Sequence, residues 1–472
     1  MEPRWTDEPC QAGSVRTEAL SPAFLAGAVE AVGRPHVLTD PTVTAGHGRD
    51  WTGRFVADPV PVLRPGSTEE VAAVVALARD HGVALVPQGG NTGLVGGGVA
   101  LDGGVVVDLG RLDAIGPVDA LGGQLTAGAG ATVSAVQAAA RAAGWEYGVD
   151  WAARDSATVG GSVATDAGGL RFVRHGGTRR QLLGVEAVLG TGAVVSHLPR
   201  VEKDNTGYHL ASVLCGSEGT LGLVTAARLR LVRPKGETSV ALVAFASVDA
   251  LVAAASYLRR AADPEALELV LADGLALTCR KLDLAPPALA AAPACLLVEL
   301  ADGEGGAELA GVVGALEGVV DAAVATDGPG RRRLWRYREG HTEAIARLGP
   351  VHKLDVTLPH GELAAFVHDI PGLVAGVADT ATVWLFGHVG DGNVHVNVTG
   401  VAPGDERIDD VVLRAAVSRG GSISAEHGIG RAKVRWFHLA HTAAEIDAMR
   451  ALRRAFDPDG ICNPGVLLPD AV

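Results

Sequence analysis

The stretch "VPQGGNTGLVGGGV", Val86 to Val99, decides how the first half of the chain is read. Six glycines fall within the ten residues Gly89 to Gly98, directly after an apolar run. A loop so poor in side chains lets main-chain N–H groups approach a pyrophosphate closely, and a mobile surface loop does not need that density of glycine between buried strands. Upstream, "VPVLRPGSTEEVAAVVALARDHGVALVPQGG" reads as strand, helix, strand, with Ser67 as N-cap, Glu70 at the capping-box position and Gly82 ending the helix. Downstream come strands in "GGVVVDL" and "GQLTAGAG", then a helix in "TVSAVQAAARAAG". Two further glycine-rich stretches, "DSATVGGSVATDAGG" and "GSEGTLG", bring the unit to three such loops. One phosphate does not require three; a long dinucleotide laid across the unit would use them all. By contrast "GAGATV", Gly128 to Val133, imitates a Rossmann fingerprint without its third glycine or an acidic ribose partner, and is a weak decoy.

Composition sets the outer limits. At 472 residues the chain exceeds one ordinary core, so two or three domains are expected. Hydrophobic residues make up 48%, so 63 glycines do not signal disorder. Net charge is −14 and the longest basic run is Arg331 to Arg333, which makes nucleic acid and anionic membranes poor partners. Cys10, Cys215, Cys279, Cys295 and Cys462 are odd in number, widely spaced and without a C-x-x-C, which points to a reducing compartment and away from a thiolate metal site. "MEPRWTDEPCQAG" has no apolar signal core, and no run of about 18 apolar residues is free of charge and glycine. A cytoplasmic enzyme is the expectation.

The first unit, α+β, ends near "VRPKGE", whose proline and glycine suit a linker. Beyond it, strands such as "ACLLVEL", "VHKLDVTL", "TVWLFGHV" and "NVHVNVTG" alternate with long amphipathic stretches, among them "DALVAAASYLRRAADPEALELVLADGLAL", Asp249 to Leu277. The tail, ending in "RRAFDPDGICNPGVLLP", is too short to bury a core alone and must dock on a larger unit. Domains over residues 20–233, 234–424 and 425–472 are expected.

In "FGHVGDGNVHVNV", Phe386 to Val398, two histidines stand seven apart around Asp-Gly. A single strand would point them to opposite faces. A hairpin with Asp391-Gly392 as a two-residue type I′ turn pairs His388 with His395, Cβ atoms roughly 5 Å apart. Asn397 then shares the face of His395, while Val394, Val396 and Val398 take the other. Two imidazoles and an amide on one polar face look like half of a metal site; histidines capping an exposed sheet face would explain the same residue types. In "LWRYREGHTEAIARLG" Arg338 and Thr342 are four apart and share a helical face, and in "VHKLDVTL" Lys353 alternates against Leu354, Val356 and Leu358, together with Asp355 and Thr357. Arginine, hydroxyl and lysine, if they converge, would grip a carboxylate through charge-assisted bonds.

The stretches "PQGGNTGLVGGGV", "TVGGSVATDAGGLRF", "KDNTGYHL", "GSEGTLGLVT", "GHVGDGNVHVNV", "SAEHGIG" and "FDPDGICNPGVLLP" together resemble the flavoproteins of vanillyl-alcohol oxidase fold. Within that family they are most similar to the D-2-hydroxyglutarate dehydrogenases and their D-lactate dehydrogenase and glycolate oxidase relatives. The resemblance runs in register from about Arg34 to Pro469. It implies a vanillyl-alcohol oxidase-type FAD domain, an antiparallel-sheet substrate (cap) domain, and a C-terminal segment returning to the FAD domain. It places Pro87, Gly89, Gly90, Asn91, Thr92, Gly93 and Gly96 around the pyrophosphate, and Gly160, Gly161, Ser162, Thr165, Gly168 and Gly169 along the adenine and ribose side. Glu218, Gly219 and Asn463 match positions near the flavin. No histidine occurs between His81 and His175, so the usual attachment site is missing and FAD is expected to be non-covalent. One departure is Asp166, where relatives carry an amide; a carboxylate there must turn away from the pyrophosphate or serve otherwise.

The same resemblance makes Glu426 the third ligand beside His388 and His395, for zinc or another divalent ion, and neutral His427 the acceptor of the substrate's hydroxyl proton. Arg338, Thr342 and Lys353 match the positions that hold a distal carboxylate, and Asn397 joins His427 among the substrate-binding residues. The reaction implied is oxidation of a D-2-hydroxy acid to the 2-oxo acid by hydride transfer from C2 to flavin N5, with D-2-hydroxyglutarate favoured over D-lactate, D-malate or glycolate. Two charged contacts at about 1.5–3 kcal/mol each would favour the dicarboxylate by roughly 10²- to 10⁴-fold. A metal-dependent hydrolase using the glycine loops for a nucleotide substrate is the alternative of another class, and a flavin-binding protein without turnover a third. Relatives pass electrons to a flavoprotein carrier, quinone or cytochrome, and homodimerisation is a family expectation.

Overall fold

The computed structural model describes residues 20–302, 306–402 and 404–469; Cys10 and the "MEPRWTDEPCQAG" segment lie outside them. Three sheets carry the fold. The first holds β1 (Val37–Leu38), β2 (Val62–Leu63), β3 (Leu85–Gln88) and β4 (Val105–Asp108) in the order β1-β2-β4-β3, with β4 parallel to both β2 and β3. The helix Thr68–His81 connects β2 to β3 and buries Val71, Val74, Val75 and Ala78, the spacing of one helical face. Ser67 caps it by accepting from the Glu70 N–H, and Gly82 closes it at φ 63°. Glu70 reaches the Gly66 N–H at 2.6 Å instead of that of the N-cap, a near-variant of the expected box. The C-terminal stretch extends this sheet's edge: Leu85 N–H donates to Ile461 and Asn463 N–H donates to Leu85, both at 2.8 Å.

The second sheet is antiparallel, ordered β5-β8-β6-β7 from β5 (Gln124–Gly128), β6 (Leu182–Leu189), β7 (Val194–His197) and β8 (Gly222–Arg230). Its core joins Leu125, Ala127, Val185, Ala187 and Leu229 to Val133, Val136 and Ala140 of the helix Val133–Ala142. Within the second glycine-rich stretch runs the short helix Val159–Thr165, which includes Gly160 and Gly161, is capped by Thr158 and ends at Asp166 with φ 51°.

The third sheet has seven antiparallel strands in the order β12-β9-β11-β10-β14-β15-β13. They are β9 (Thr238–Phe245), β10 (Pro264–Leu271), β11 (Ala294–Ala301), β12 (Val319–Ala325), β13 (His352–Thr357), β14 (Thr382–Gly387) and β15 (Asn393–Thr399). One face packs Leu267, Leu269, Leu354, Val356, Val394, Val396 and Val398 into the largest core, with helices Val248–Ala261, Leu363–Ala375 and Glu406–Val417. Alternation therefore turns Glu268, Lys353, Asp355, His395 and Asn397 to the opposite face, toward the first two sheets.

Two expectations need correcting. Asp249 to Leu277 is not continuous amphipathic helix: the helices Val248–Ala261 and Ala272–Leu282 flank the strand β10, which sits at the middle of the sheet. The hairpin register also differs by two residues, since His395 pairs with Phe386 and not with His388. His388 instead closes a five-residue loop, its carbonyl accepting from both Asp391 and Asn393 at 3.1 Å. A type I′ turn needs positive φ at both central residues, and here only Gly392, at φ 89°, supplies it. A shift of two preserves the side-chain faces, so Val394, Val396 and Val398 are all fully buried on the core side as expected.

Candidate active site

The three glycine loops and the polar face of the seven-stranded sheet enclose one cavity of about 530 Å³, well within the range of small-molecule sites. All sixteen residues expected around FAD line it, and so do Arg338, Thr342, Lys353, His388, His395, Asn397, Glu426 and His427. The walls on the glycine side are main chain, because two loops meet backbone to backbone: a Cβ on Gly90 would stand 1.8 Å from the Ser156 carbonyl oxygen. Gly93, by contrast, faces open space. A cradle of this kind fits a pyrophosphate flanked by flat rings. Asp166 takes no part in it. Its carboxylate accepts from the Arg179 N–H at 2.9 Å and Arg179 Nε at 2.7 Å, and the residue does not line the cavity.

The Glu218 carboxylate and the Asn463 Nδ2 hold loops together. The Glu218 carboxylate accepts from the N–H groups of Ile429 and Gly430 at 2.8 and 2.7 Å, just past Glu426 and His427. Asn463 Nδ2 donates to the carbonyls of Gly97 and Glu218 at 2.9 and 2.7 Å.

On the sheet side of the cavity the imidazoles meet. His388 Nε2 lies 3.4 Å from His395 Nε2, and these atoms lie 3.8 and 3.6 Å from the two carboxylate oxygens of Glu426. Ligands bonded at about 2.1 Å with tetrahedral angles stand about 3.4 Å apart, so the three side chains fit a divalent ion between them. Both outer ring nitrogens are held by carboxylates, His388 Nδ1 by Glu268 at 2.7 Å and His395 Nδ1 by Asp355 at 3.4 Å. Such partners orient metal-binding histidines. A second grouping within 4.8 Å replaces His388 by Asp355 and adds His427. Asp355 is better placed as a support than as a ligand. One oxygen already accepts from the N–H groups of Ala425, Glu426 and His427 at 3.0, 2.7 and 3.1 Å, and the other from Asn393 at 2.6 Å.

Electrostatics point the same way. Burial opposes charge on Glu426, but the facing His427, His388 and His395 outweigh it and bring its carboxyl to about 2. Burial likewise opposes charge on His388, and is overcome by Glu268 and Glu426, which push the imidazole up to about 9. Concentrated carboxylate charge thus favours a cation at the point the Nε2 atoms face. His427 stacks on His395 with ring centroids 5.7 Å apart, its Nε2 3.5 Å from Glu426.

Basic and hydroxyl groups line the cavity beside this cluster. Arg338, on the helix Gly328–Ala346, is buried over the Phe386 ring at 4.7 Å and ion-paired to Glu268 at 2.7 Å. Thr342 follows one turn later on the same helix. Lys353 stands opposite Asn397 in the sheet, its Nζ 4.2 Å from the Trp51 ring centroid, and burial lowers its amine to about 8. Asn397 Nδ2 is buried without a hydrogen-bond partner and lines the cavity, as suits an amide that awaits a ligand. Sequence reading missed Glu268, Asp355 and Trp51. Asp355 was within reach, since it alternates with Lys353 on the polar side of β13.

Solved structures of the same architecture include an alkyldihydroxyacetonephosphate synthase, with a TM-score of 0.74 at 17% identity over 94% of this chain and 85% of that one. Another is the 4-ethylphenol oxidase of Gulosibacter chungangensis, 0.74 at 15% identity over 95% and 97%. At such identities the likeness is one of fold, the vanillyl-alcohol oxidase type. The FAD binding domain family matches residues 59–197 and the FAD linked oxidases, C-terminal domain family matches residues 235–467. These family matches, with the relatives that share them, show an FAD-dependent dehydrogenase. Among its relatives, D-2-hydroxyglutarate dehydrogenase of Xanthomonas citri pv. viticola is 38% identical over 93% of this chain and 95% of its own length. The mitochondrial enzyme of that name from Bos taurus is 34% identical over 94% and 83%. The chain belongs to the D-2-hydroxyglutarate dehydrogenase family of FAD-dependent D-2-hydroxy acid dehydrogenases. No helix among the described residues is long and apolar enough to cross a membrane.

Proposed function

We propose that the substrate is D-2-hydroxyglutarate, oxidised to 2-oxoglutarate with non-covalent FAD and a divalent ion, zinc, held by His388, His395 and Glu426. The observation that carries this reading is the polarity of one cavity. It holds a three-ligand cation site and, beside it on the same sheet face and the facing helix, Arg338, Thr342, Lys353 and an unpartnered Asn397 amide. Bound there, FAD would supply a two-electron hydride acceptor and the ion Lewis acidity for the substrate hydroxyl.

His427 takes the hydroxyl proton, its ring kept in place by stacking on His395 and by its own backbone N–H, which Asp355 accepts at 3.1 Å. Arg338, Thr342 and Lys353 hold the distal carboxylate and so fix whether the single C2 hydrogen faces the flavin, which selects one enantiomer. Glu218 and Asn463 hold the glycine loop and the segment after His427 at one spacing, which keeps the flavin and base in register. In this reading residues 20–233 and 425–472 form the FAD domain and 234–424 the substrate domain. Electrons leave to a flavoprotein carrier, quinone or cytochrome, and the enzyme is a cytoplasmic homodimer.

Anaerobic titration of the metal-replete protein tests the reading. D-2-hydroxyglutarate should bleach the flavin at low concentration, the L-enantiomer not at all and D-lactate weakly; a chelator should stop bleaching while the flavin stays bound. A yellow protein bleached equally by D-lactate would end the dicarboxylate assignment, and a colourless one that cannot be reconstituted would end the flavin one.

A further inference from the structure

Glu268 lies on the central strand β10 and is completely buried, a placement that a lone carboxylate does not tolerate. Its two oxygens have separate partners from different elements of the cavity wall: Oε1 stands 2.7 Å from His388 Nδ1, and Oε2 stands 2.7 Å from Arg338 Nη2. His388 sits in a loop and not in a strand, so the sheet alone does not fix its ring. Arg338 comes from a helix and reaches the cavity over the Phe386 ring. Glu268 pairs with both, and it does so from the middle of a seven-stranded sheet.

We propose that Glu268 is a positioning residue shared by the two halves of the site, with one oxygen aiming the His388 ring at the cation position and the other holding the Arg338 guanidinium at the distal end. The length of substrate that fits is then set by a single rigid carboxylate, because cation and guanidinium are referred to the same point. The Arg338 half rests on the distal-carboxylate reading given above; the His388 half does not. Two consequences are separable. Loss of the carboxylate should weaken metal binding, since removing an outer-sphere partner of a ligating histidine costs roughly 10- to 100-fold in affinity. It should also flatten the preference for a dicarboxylate, because Arg338 loses its anchor.

The test uses purified flavoprotein stripped of metal and titrated with zinc against a chromophoric chelator, for wild type, Glu268→Gln and Glu268→Asp. Glu268→Gln should bind zinc roughly 10- to 100-fold more weakly with wild-type FAD content. At saturating zinc it should show a raised KM for D-2-hydroxyglutarate and little change for D-lactate. Glu268→Asp, which keeps the charge but withdraws it, should fall between and guards against a folding failure of the glutamine variant. Zinc affinity within twofold of wild type in both variants overturns the proposal, as does a zinc defect with substrate preference intact. Arg338→Ala, assayed in parallel, separates the two ideas: if it too leaves the preference intact, the distal-carboxylate reading has failed, and the zinc titration alone then judges Glu268.

Discussion

Lys353 sits on the polar face of β13 with its amine against the Trp51 ring, and burial lowers it to about 8. A lysine is charged below its pKa, so the cation needed for a distal carboxylate is present at neutral pH and fades as pH rises through about 8. A bound carboxylate would restore the charge, which places the effect in the free enzyme and hence in kcat/KM more than in kcat. The pH profile for D-2-hydroxyglutarate should therefore fall above about pH 8, and Lys353→Arg should remove that limb because a guanidinium keeps its proton. Lys353→Ala should cost about 1.5–3 kcal/mol, or roughly 10- to 150-fold in kcat/KM, for the diacid and far less for D-lactate; equal losses would contradict the assignment. Asp166 behaves oppositely. It is turned toward Arg179 in a half-exposed ion pair worth at most about 1 kcal/mol, so Asp166→Asn should leave the FAD dissociation constant within twofold. A tenfold tightening would mean that the carboxylate does reach the cofactor.

At the level of elements, the histidine hairpin shows what a local pattern can and cannot reveal. Alternation assigned the faces of Val394 to Val398 correctly, because period two is a property of the strand itself. It misjudged the register, because the loop is shaped by what it touches: Gly390 N–H donates to Leu267 of β10 and Gly392 carbonyl accepts from Leu358 N–H, just past β13, contacts distant in sequence. The strand β10 was hidden for a related reason. "PEALELVL" is rich in good helix formers, and only its place between β11 and β14 makes it a strand. Glu268 was therefore illegible, whereas Lys353, Asn397 and both histidines could be read from β-rich surroundings. Gly392 offers the test at this scale. It has φ 89°, and a Cβ there would stand 2.4 Å from the Leu358 carbonyl oxygen. Gly392→Ala should cost about 1–3 kcal/mol, lowering the thermal midpoint, and should weaken zinc binding because the loop carries His388. A midpoint unchanged within a degree would show that the loop adapts freely.

Across the whole molecule, the segment after the second glycine loop is pinned to the seven-stranded sheet by buried charge. Arg171 stands two residues after Gly169, and its guanidinium meets Glu265 at 3.0 Å and Glu299 at 3.3 Å, with Lys235 at 3.2 Å from Glu299 and the Trp335 indole donating to Glu299 at 2.7 Å. Both glutamates are nearly inaccessible, so their charges depend on these cations. Burial raises the Glu299 carboxyl, yet Arg171 and Lys235 outweigh it and hold the group below its ordinary value. The sign follows from linkage: a carboxyl lowered in the folded state stabilises fully above its unfolded pKa, about 4.3, and that contribution is lost as pH falls through the lower folded value. Arg171→Met should strand two buried carboxylates. Breaking a buried pair costs about 3–5 kcal/mol, and the figure here should lie at or below the lower end because Lys235 and Arg174 remain beside the glutamates. The variant should lose FAD and unfold at a higher pH than wild type during acid titration, followed by flavin fluorescence and circular dichroism together, with Arg171→Lys intermediate. If flavin release and acid unfolding both stayed at the wild-type pH, the network would be a passive surface between sheets, and the spacing of the cofactor loop from the substrate face would have to come from the Glu218 and Asn463 contacts alone.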